Sequence, residues 1–158
     1  MSLLLKNCRF LVTQDSGRKI LEKTDVRISD NKIEEIGKNL KAEGEEEIDC
    51  SNSLVMPGLI NTHTHIAMAE QRGIADDIVL ADFLEKTSKV DSQMTKNDVY
   101  EGAISGCIES IIFGTTCFND LYYFEDEIGK AAVETGLRAN LGWACLDEEM
   151  TTQKGDPV

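Results

Sequence analysis

Hydrophobic and polar positions alternate over short stretches in the first 57 residues, which is the pattern of β-strands. Val26 and Ile28, for example, point to one face of a predicted strand, and the polar residues beside them point to the other. Polar turns separate the apolar runs, residues 43–47 form a charged, solvated loop, and Pro57-Gly58 ends the block. The pattern predicts a small antiparallel sheet, with strands near residues 3–12, 25–28, 33–36 and 53–56.

Helical spacing replaces this alternation after residue 58. Apolar residues recur on one helical face from Val99 to Ile112, after a Thr95 whose spacing to Asp98 resembles a capping box. Glycines after the second and third helical runs indicate left-handed helix ends. The pattern predicts helices near 77–86, 95–113 and 126–135, between strands near 58–61, 115–121 and 137–146. Short links between strand and helix favour a parallel α/β arrangement with right-handed crossovers.

The charge balance narrows the range of partners. The 158 residues include 29 acidic and 16 basic side chains, and the formal charge of −13 disfavours binding to nucleic acid. No apolar run approaches the ~20 residues that cross a bilayer, and no cleavage site for a signal peptide follows the apolar N-terminus. Five cysteines, mostly in apolar segments, suit reduced core thiols. We expect a soluble, cytoplasmic protein without membrane or nucleic-acid partners.

The sequence contains only two histidines, His63 and His65, and they follow a predicted strand. Side chains two residues apart on extended chain point the same way, so both imidazoles project to one side. The carboxyl ends of parallel strands are where α/β folds place their ligands. Two imidazoles there provide half of a tetrahedral site for zinc or iron. The alternative, which is commoner for His-x-His taken alone, is a pair of polar residues hydrogen-bonded to backbone at a strand end.

The sequence around these histidines resembles the amidohydrolase superfamily, in particular the methylthioadenosine and S-adenosylhomocysteine deaminases, whose neighbours include chlorohydrolases. The resemblance covers the whole chain and is carried by three segments, VMPGLINTHTH (55–65), RGIADD (72–77) and GTTCFND (114–120). It implies an α/β fold in which residues 58–158 are the first three βα units of a (β/α)8 TIM-type barrel. Residues 1–57 would then be the N-terminal part of a β-sandwich domain.

The resemblance also implies an activity, namely hydrolytic deamination of an aminopurine nucleoside or related N-heterocycle. One divalent metal ion, zinc or alternatively iron, would be bound by His63 and His65. Asp91 aligns with the acid that holds the ribose hydroxyls in adenosine-type deaminases, although it is shorter than the family's glutamate, and Phe83 replaces a usual tryptophan. A chlorohydrolase or ring-amide hydrolase is the alternative within the superfamily, and a noncatalytic truncated module is the alternative outside it.

The roles of three further residues are open to more than one interpretation. Asp120, at the predicted end of the second barrel strand, either orients a metal ligand or anchors a loop. Met68 either lines the substrate pocket or fills the core. Arg72 either meets an anionic group or, as we expect, forms a local ion pair with the nearby Asp76 and Asp77.

A complete barrel of this type takes ~250 residues. The resemblance places a further histidine and an aspartate that bind metal, the proton-shuttling glutamate and a second catalytic histidine on later strands. No histidine occurs in the chain outside positions 63 and 65. We therefore expect the general acid and base to lie outside this chain, and the chain alone to be inactive. A split enzyme, a truncated product or part of a longer polypeptide would each explain this, and a complementing polypeptide or a homo-oligomer is the expected partner.

Overall fold

Five β-strands make up the first 57 residues in the computed structural model, which describes residues 2–144 of the chain. They are β1 (Ser2–Val12), β2 (Ile20–Ser29), β3 (Lys32–Gly37), β4 (Glu46–Asp49) and β5 (Leu54–Val55). The long β1 lies at the centre, because it pairs with β2 along one side and with β4 and then β5 along the other. The boundary between this unit and the next lies between Pro57 and Gly58.

The direction of the strands differs from the prediction. β1 and β3 pair antiparallel with β2, as predicted, but β4 and β5 run parallel to β1. The chain reaches β4 through the loop 38–45 instead of a tight hairpin, so it enters the sheet in the same direction as β1. The prediction of a purely antiparallel sheet was therefore wrong, and the sheet is mixed.

Both faces of β2 carry buried residues. Val26 belongs to a small apolar core with Cys8, Leu11 and Cys50, as its alternation with polar neighbours predicts. Cys8 and Cys50 are free thiols, and burial raises the pKa of Cys8 to about 11. Cys107, which is buried, and Cys117, which is half-buried, are also free, and the fifth cysteine lies outside the described residues.

The polar face of β2 is not solvated as the alternation suggests. Arg27 is buried and donates to the carboxylates of Glu35 at 2.7 Å and Glu45 at 2.6 Å, and to the Lys41 carbonyl. The Glu45 side chain is only 7% exposed. The interpretation of residues 43–47 as a solvated loop was therefore wrong for Glu45, which holds the buried guanidinium.

The second unit is a parallel α/β arrangement. Its elements are β6 (Leu59–Thr64), a 3-10 helix (Ile66–Gln71), α1 (Leu80–Asp91), α2 (Lys96–Ile112), β7 (Thr115–Tyr122), α3 (Glu125–Thr135) and β8 (Arg138–Trp143). The strands form one sheet in the order β6-β7-β8, and both pairings are parallel. The predicted alternation of strand and helix is therefore confirmed, although the end of the predicted third strand, beyond residue 144, lies outside the described part.

Helix ends agree with the sequence at α2 and α3 and differ at α1. Thr95 and Asp98 form the predicted capping box, and Gly114 and Gly136 have the left-handed φ angles of 83° and 78° that end the two helices. α1 begins at Leu80 instead of Asp77, because Asp77 itself has a φ of 54°, which no helix accommodates. It then continues to Asp91, five residues beyond the predicted end.

The apolar core of this unit lies between the sheet and its helices. The buried residues include Val99, Ala103 and Cys107 of α2, Phe118 and Tyr122 of β7, and Ile128, Ala131 and Ala132 of α3. The predicted apolar face of α2 fails in its last turn, where Ile112 is 72% exposed because no described element packs against it. No helix within residues 2–144 combines the length and the apolar character needed to span a bilayer.

Candidate metal and substrate site

The two histidines lie at the carboxyl end of β6. His63 belongs to the strand itself, one residue before its end, and His65 follows it, whereas the prediction put both beyond the strand. The pairing of β6 with β7 is irregular between Asn61 and Thr64. The centroids of the two imidazole rings are 5.1 Å apart, with an angle of 80° between the ring planes. The two rings are therefore immediate neighbours.

The orientation of His65 is fixed by a hydrogen bond to the next strand. Its Nδ1 lies within hydrogen-bond distance of the Leu121 carbonyl oxygen in β7. A carbonyl only accepts, so Nδ1 carries the proton and Nε2 keeps a free lone pair. This is how metal-binding imidazoles are commonly held, because the bond fixes both tautomer and ring orientation.

Asp120 anchors the backbone immediately after His65. Its side chain is buried at 2% exposure, and Oδ1 accepts a hydrogen bond of 2.7 Å from the Ile66 amide. Burial raises the pKa of Asp120, although the Ile66 amide and the two histidines oppose the rise. This contact corresponds to the loop-anchoring interpretation of Asp120, and because the anchored residue adjoins His65 it also constrains the histidine.

Sequence reasoning missed Glu125, the first residue of α3. Its side chain is 3% exposed, and Oε1 accepts a hydrogen bond of 2.7 Å from the Tyr122 amide. Burial, and then the charge of Asp120, raise the pKa of Glu125. Three consecutive acids open α3, and nothing in the sequence distinguishes this one from its two more exposed neighbours.

A cavity of about 290 Å³ brings together three of the residues that the sequence singled out, His65, Met68 and Asp91. Met68 also packs against the core, so both of its proposed roles agree with its position. Aromatic and apolar side chains line the remainder, among them Phe83, Leu84, Leu121, Tyr122 and Tyr123.

Asp91 is held by hydrogen bonds in this cavity. It is 7% exposed, and its Oδ1 accepts hydrogen bonds from the Tyr122 hydroxyl at 2.6 Å and from the Gln71 side-chain amide at 2.8 Å. Burial and the neighbouring Asp91 raise the pKa of Tyr122, so its hydroxyl remains a donor. Gln71 and Tyr122 were missed because they are 20 and 31 residues from Asp91 in sequence.

Arg72 does not form the predicted local ion pair with Asp76 or Asp77. Its guanidinium lies 2.7 Å from the Glu109 carboxylate on α2. Gly73 follows it with a left-handed φ of 84°. Both partners of this pair are substantially exposed, so its contribution to stability is small.

The two imidazoles are two of the donors that a metal site would need. Within residues 2–144 no third histidine, cysteine, aspartate or glutamate joins the imidazoles in a group able to hold a metal ion. The free lone pair on Nε2 of His65 is the donor that a metal-binding imidazole needs. Zinc sites in proteins take at least three side chains. The described residues therefore fit half of a zinc or iron site.

The paired imidazoles lie at the carboxyl end of a parallel strand, which is the edge of the sheet where α/β proteins place their ligands. Residues 54–157 match the model of the Amidohydrolase family. The chain belongs to this family, as its motifs predicted.

Two similar curated proteins are named as deaminases. A 5'-deoxyadenosine deaminase of Methanosarcina mazei is 43% identical over 155 residues, 98% of this chain and 35% of the relative. A 5-methylthioadenosine/S-adenosylhomocysteine deaminase of Pyrococcus furiosus is 40% identical over 128 residues, 80% of this chain and 30% of the relative. The crystal structure of an adenosine deaminase from Xanthomonas campestris with bound zinc has a TM-score of 0.79 and 28% identity, covering 87% of this chain and 32% of the other. The chain thus spans about a third of the length of the curated relatives it matches.

Proposed function

We propose that this chain forms the first part of the catalytic domain of a metal-dependent deaminase acting on a purine nucleoside or related N-heterocycle. The observation that carries the proposal is the pair of imidazoles at the end of β6, with Nδ1 of His65 held by the Leu121 carbonyl. The deaminase names of its relatives favour release of ammonia over the loss of chloride or the opening of a ring amide.

His63 and His65 would hold one zinc or iron ion through their imidazole nitrogens. An ion bound in this way lowers the pKa of its water towards ~7 and makes hydroxide available at neutral pH. The chain's own contribution is orientation, because Leu121 fixes the tautomer of His65 and Asp120 fixes the backbone that follows it.

The cavity beside His65 is the proposed substrate site. Met68 and Phe83 supply apolar surface for a heterocyclic ring, and Asp91 supplies a carboxylate for the ribose hydroxyls. The Tyr122 hydroxyl and Gln71 amide hold that carboxylate in place. Its side chain is therefore already ordered before a substrate binds, and binding does not cost this conformational entropy.

The remaining parts of the catalytic domain are proposed to come from a segment equivalent to the rest of the relatives, either joined to this chain or as a complementing polypeptide. The sheet would then be the first three strands of a (β/α)8 barrel, and the missing ligands and general acid and base would come from later strands. β6 and β8 each pair with one strand among the described residues, which leaves an edge available on both sides.

Complementation tests this function. The chain is produced together with the part of the M. mazei deaminase that lies beyond the matched segment, and the complex is isolated by size exclusion. We expect it to bind zinc and to release ammonia from 5'-deoxyadenosine, and a His63→Asn/His65→Asn control to lose at least about 100-fold in activity. A complex that deaminates equally well with both histidines replaced would contradict the proposal. Chloride release from a triazine, without deamination, would favour the alternative within the superfamily.

A further inference from the structure

Two buried carboxyl groups each have one oxygen without a hydrogen-bond donor. Asp120 and Glu125 each use one oxygen to accept from a backbone amide, those of Ile66 and Tyr122 respectively. The second oxygens, Oδ2 of Asp120 and Oε2 of Glu125, are fully buried and find no donor among the described groups. An unsatisfied buried acceptor is costly, so this arrangement requires an explanation.

A single proton satisfies both oxygens. The two side chains lie within hydrogen-bonding reach of each other, and two buried carboxylates side by side are not both ionised. The Ile66 amide donates to Asp120, and the charge of Asp120 raises the pKa of Glu125, so the proton resides on Glu125. Glu125 then donates to Asp120, and every carboxyl oxygen of the pair has a partner.

The Asp120–Glu125 pair holds the backbone on both sides of Leu121, the residue whose carbonyl orients His65. Glu125 contacts Asp120 through its carboxyl group and the Tyr122 amide through Oε1, and Leu121 lies between these two residues in β7. The Leu121 carbonyl binds Nδ1 of His65, and Asp120 binds the amide that follows His65. We propose that Glu125 is a positioning residue, which acts through Asp120 and the end of β7 to fix the orientation of the His65 imidazole.

Four variants of the full chain separate this role from general stability. Glu125→Gln keeps the acceptor for the Tyr122 amide and replaces the carboxyl proton with an amide donor to Asp120. Asp120→Asn keeps the acceptor for the Ile66 amide and places an amide donor opposite the Glu125 carboxylate. Each single variant therefore preserves the bond between the two side chains. The double variant Glu125→Gln/Asp120→Asn sets two NH2 groups against each other, and Glu125→Leu removes the bond while conserving volume. Glu127→Leu is the matched control, because it removes another acid from the first turn of α3.

The imidazole nitrogens report the orientation directly. The chain has only two histidines, so a long-range ¹H–¹⁵N spectrum of the ¹⁵N-labelled protein contains two ring systems. We expect His65 to show the Nδ1–H tautomer in the unchanged protein, in both single amide variants and in Glu127→Leu. We expect averaged tautomers, and faster hydrogen exchange of the Ile66 amide, in the double variant and in Glu125→Leu. An unchanged His65 ring in the double variant would overturn the proposal, and so would an averaged ring in Glu125→Gln.

Zinc affinity, measured by competition with a chromophoric chelator, gives a second readout that rests on the proposed function. We expect the double variant to bind zinc about 10-fold more weakly than either single variant, in line with the loss of other groups that orient metal ligands. If the double variant binds zinc as tightly as the singles do, Glu125 does not position the ligand. Because the ring spectrum needs no metal, a chain that fails to bind zinc at all would contradict the proposed function and leave the positioning role to be decided by the spectrum. If Glu125→Leu does not fold, the three amide variants still decide it.

Discussion

Asp25 shows how a single buried charge is stabilised in the first unit. Its side chain is 1% exposed, and it accepts hydrogen bonds from the Lys6 ammonium at 2.7 Å and from the amides of Asn7 and Leu40. Burial opposes ionisation, but these three donors outweigh it and hold the pKa of Asp25 below its ordinary value. The ionised form is therefore the one that the fold stabilises.

Replacing this carboxylate tests the arrangement. Asp25→Asn leaves the Lys6 ammonium without its counter-charge, and we expect a loss of about 3 kcal/mol in the free energy of unfolding at pH 7. Because the folded pKa is depressed, this contribution is present above the ordinary value near ~4 and is lost as the pH falls through the folded pKa. Urea unfolding of both proteins at pH 7, 4 and 3 should show the difference shrinking in acid. Glu47→Gln, on an exposed residue of β4, should change little, and a pH-independent difference would contradict the assignment.

Residues differ in how far the sequence reveals their role. His63 and His65 could be singled out because they are two positions apart in sequence and lie within a family motif. Asp25 and Arg27 could not, because their partners come from other elements of the fold. Glu125 could not, because the two residues that follow it are also acidic. A charged residue on an alternating strand is taken as solvated unless its distant partner is known.

At the scale of elements, α2 approaches the 3-10 helix at the distance of backbone contact. A Cβ built on Gly106 would lie 2.4 Å from the Ile66 carbonyl oxygen, and one built on Gly102 would lie 2.4 Å from that of Ala67. These two glycines, one turn apart on α2, therefore let the helix pack directly on the backbone that follows His65.

Gly106→Ala should therefore destabilise the protein, although alanine is the better helix former by about 1 kcal/mol. The added methyl group meets a backbone carbonyl that cannot rotate away, so α2 or the 3-10 helix must shift. Gly129→Ala on α3 is the matched control, because its Cβ would meet only the end of the Leu141 side chain, at 3.2 Å. We expect thermal unfolding to show a Tm lowered by several degrees for Gly106→Ala and unchanged or raised for the control, which keeps the gain in helix propensity. A higher Tm for Gly106→Ala would show that the close packing is relaxed in solution.

Elements whose signals are local were predictable, and those set by long-range pairing were not. The capping box of α2 and the glycines that end α2 and α3 lie within a few residues of the ends they specify. The direction of β4 and β5 depends on which side of β1 they join, and no local pattern encodes it. The position of α1 was missed because it depends on the left-handed backbone of Asp77.

At the scale of the whole molecule, the α/β unit exposes apolar side chains along an open strand edge. Ile60 in β6 is 66% exposed, and β6 pairs only with β7 among the strands described. Ile112 and Phe113 at the end of α2 are each 72% exposed. Unpaired strand edges with apolar side chains promote association between chains.

Self-association of the chain should depend on the edge strand more than on apolar exposure alone. We expect the unchanged chain to sediment, at rising concentration, with an average mass above 17.5 kDa. Ile60→Lys places a charge on the edge of β6, which disfavours pairing with another strand, and should shift the chain towards a monomer. Val133→Lys replaces a residue that is 83% exposed on α3, where the helix already satisfies its own backbone, and should change the average mass little. If both variants suppress association equally, exposed apolar area and not the open edge drives association. That result would contradict the proposal that the rest of the domain joins at this edge.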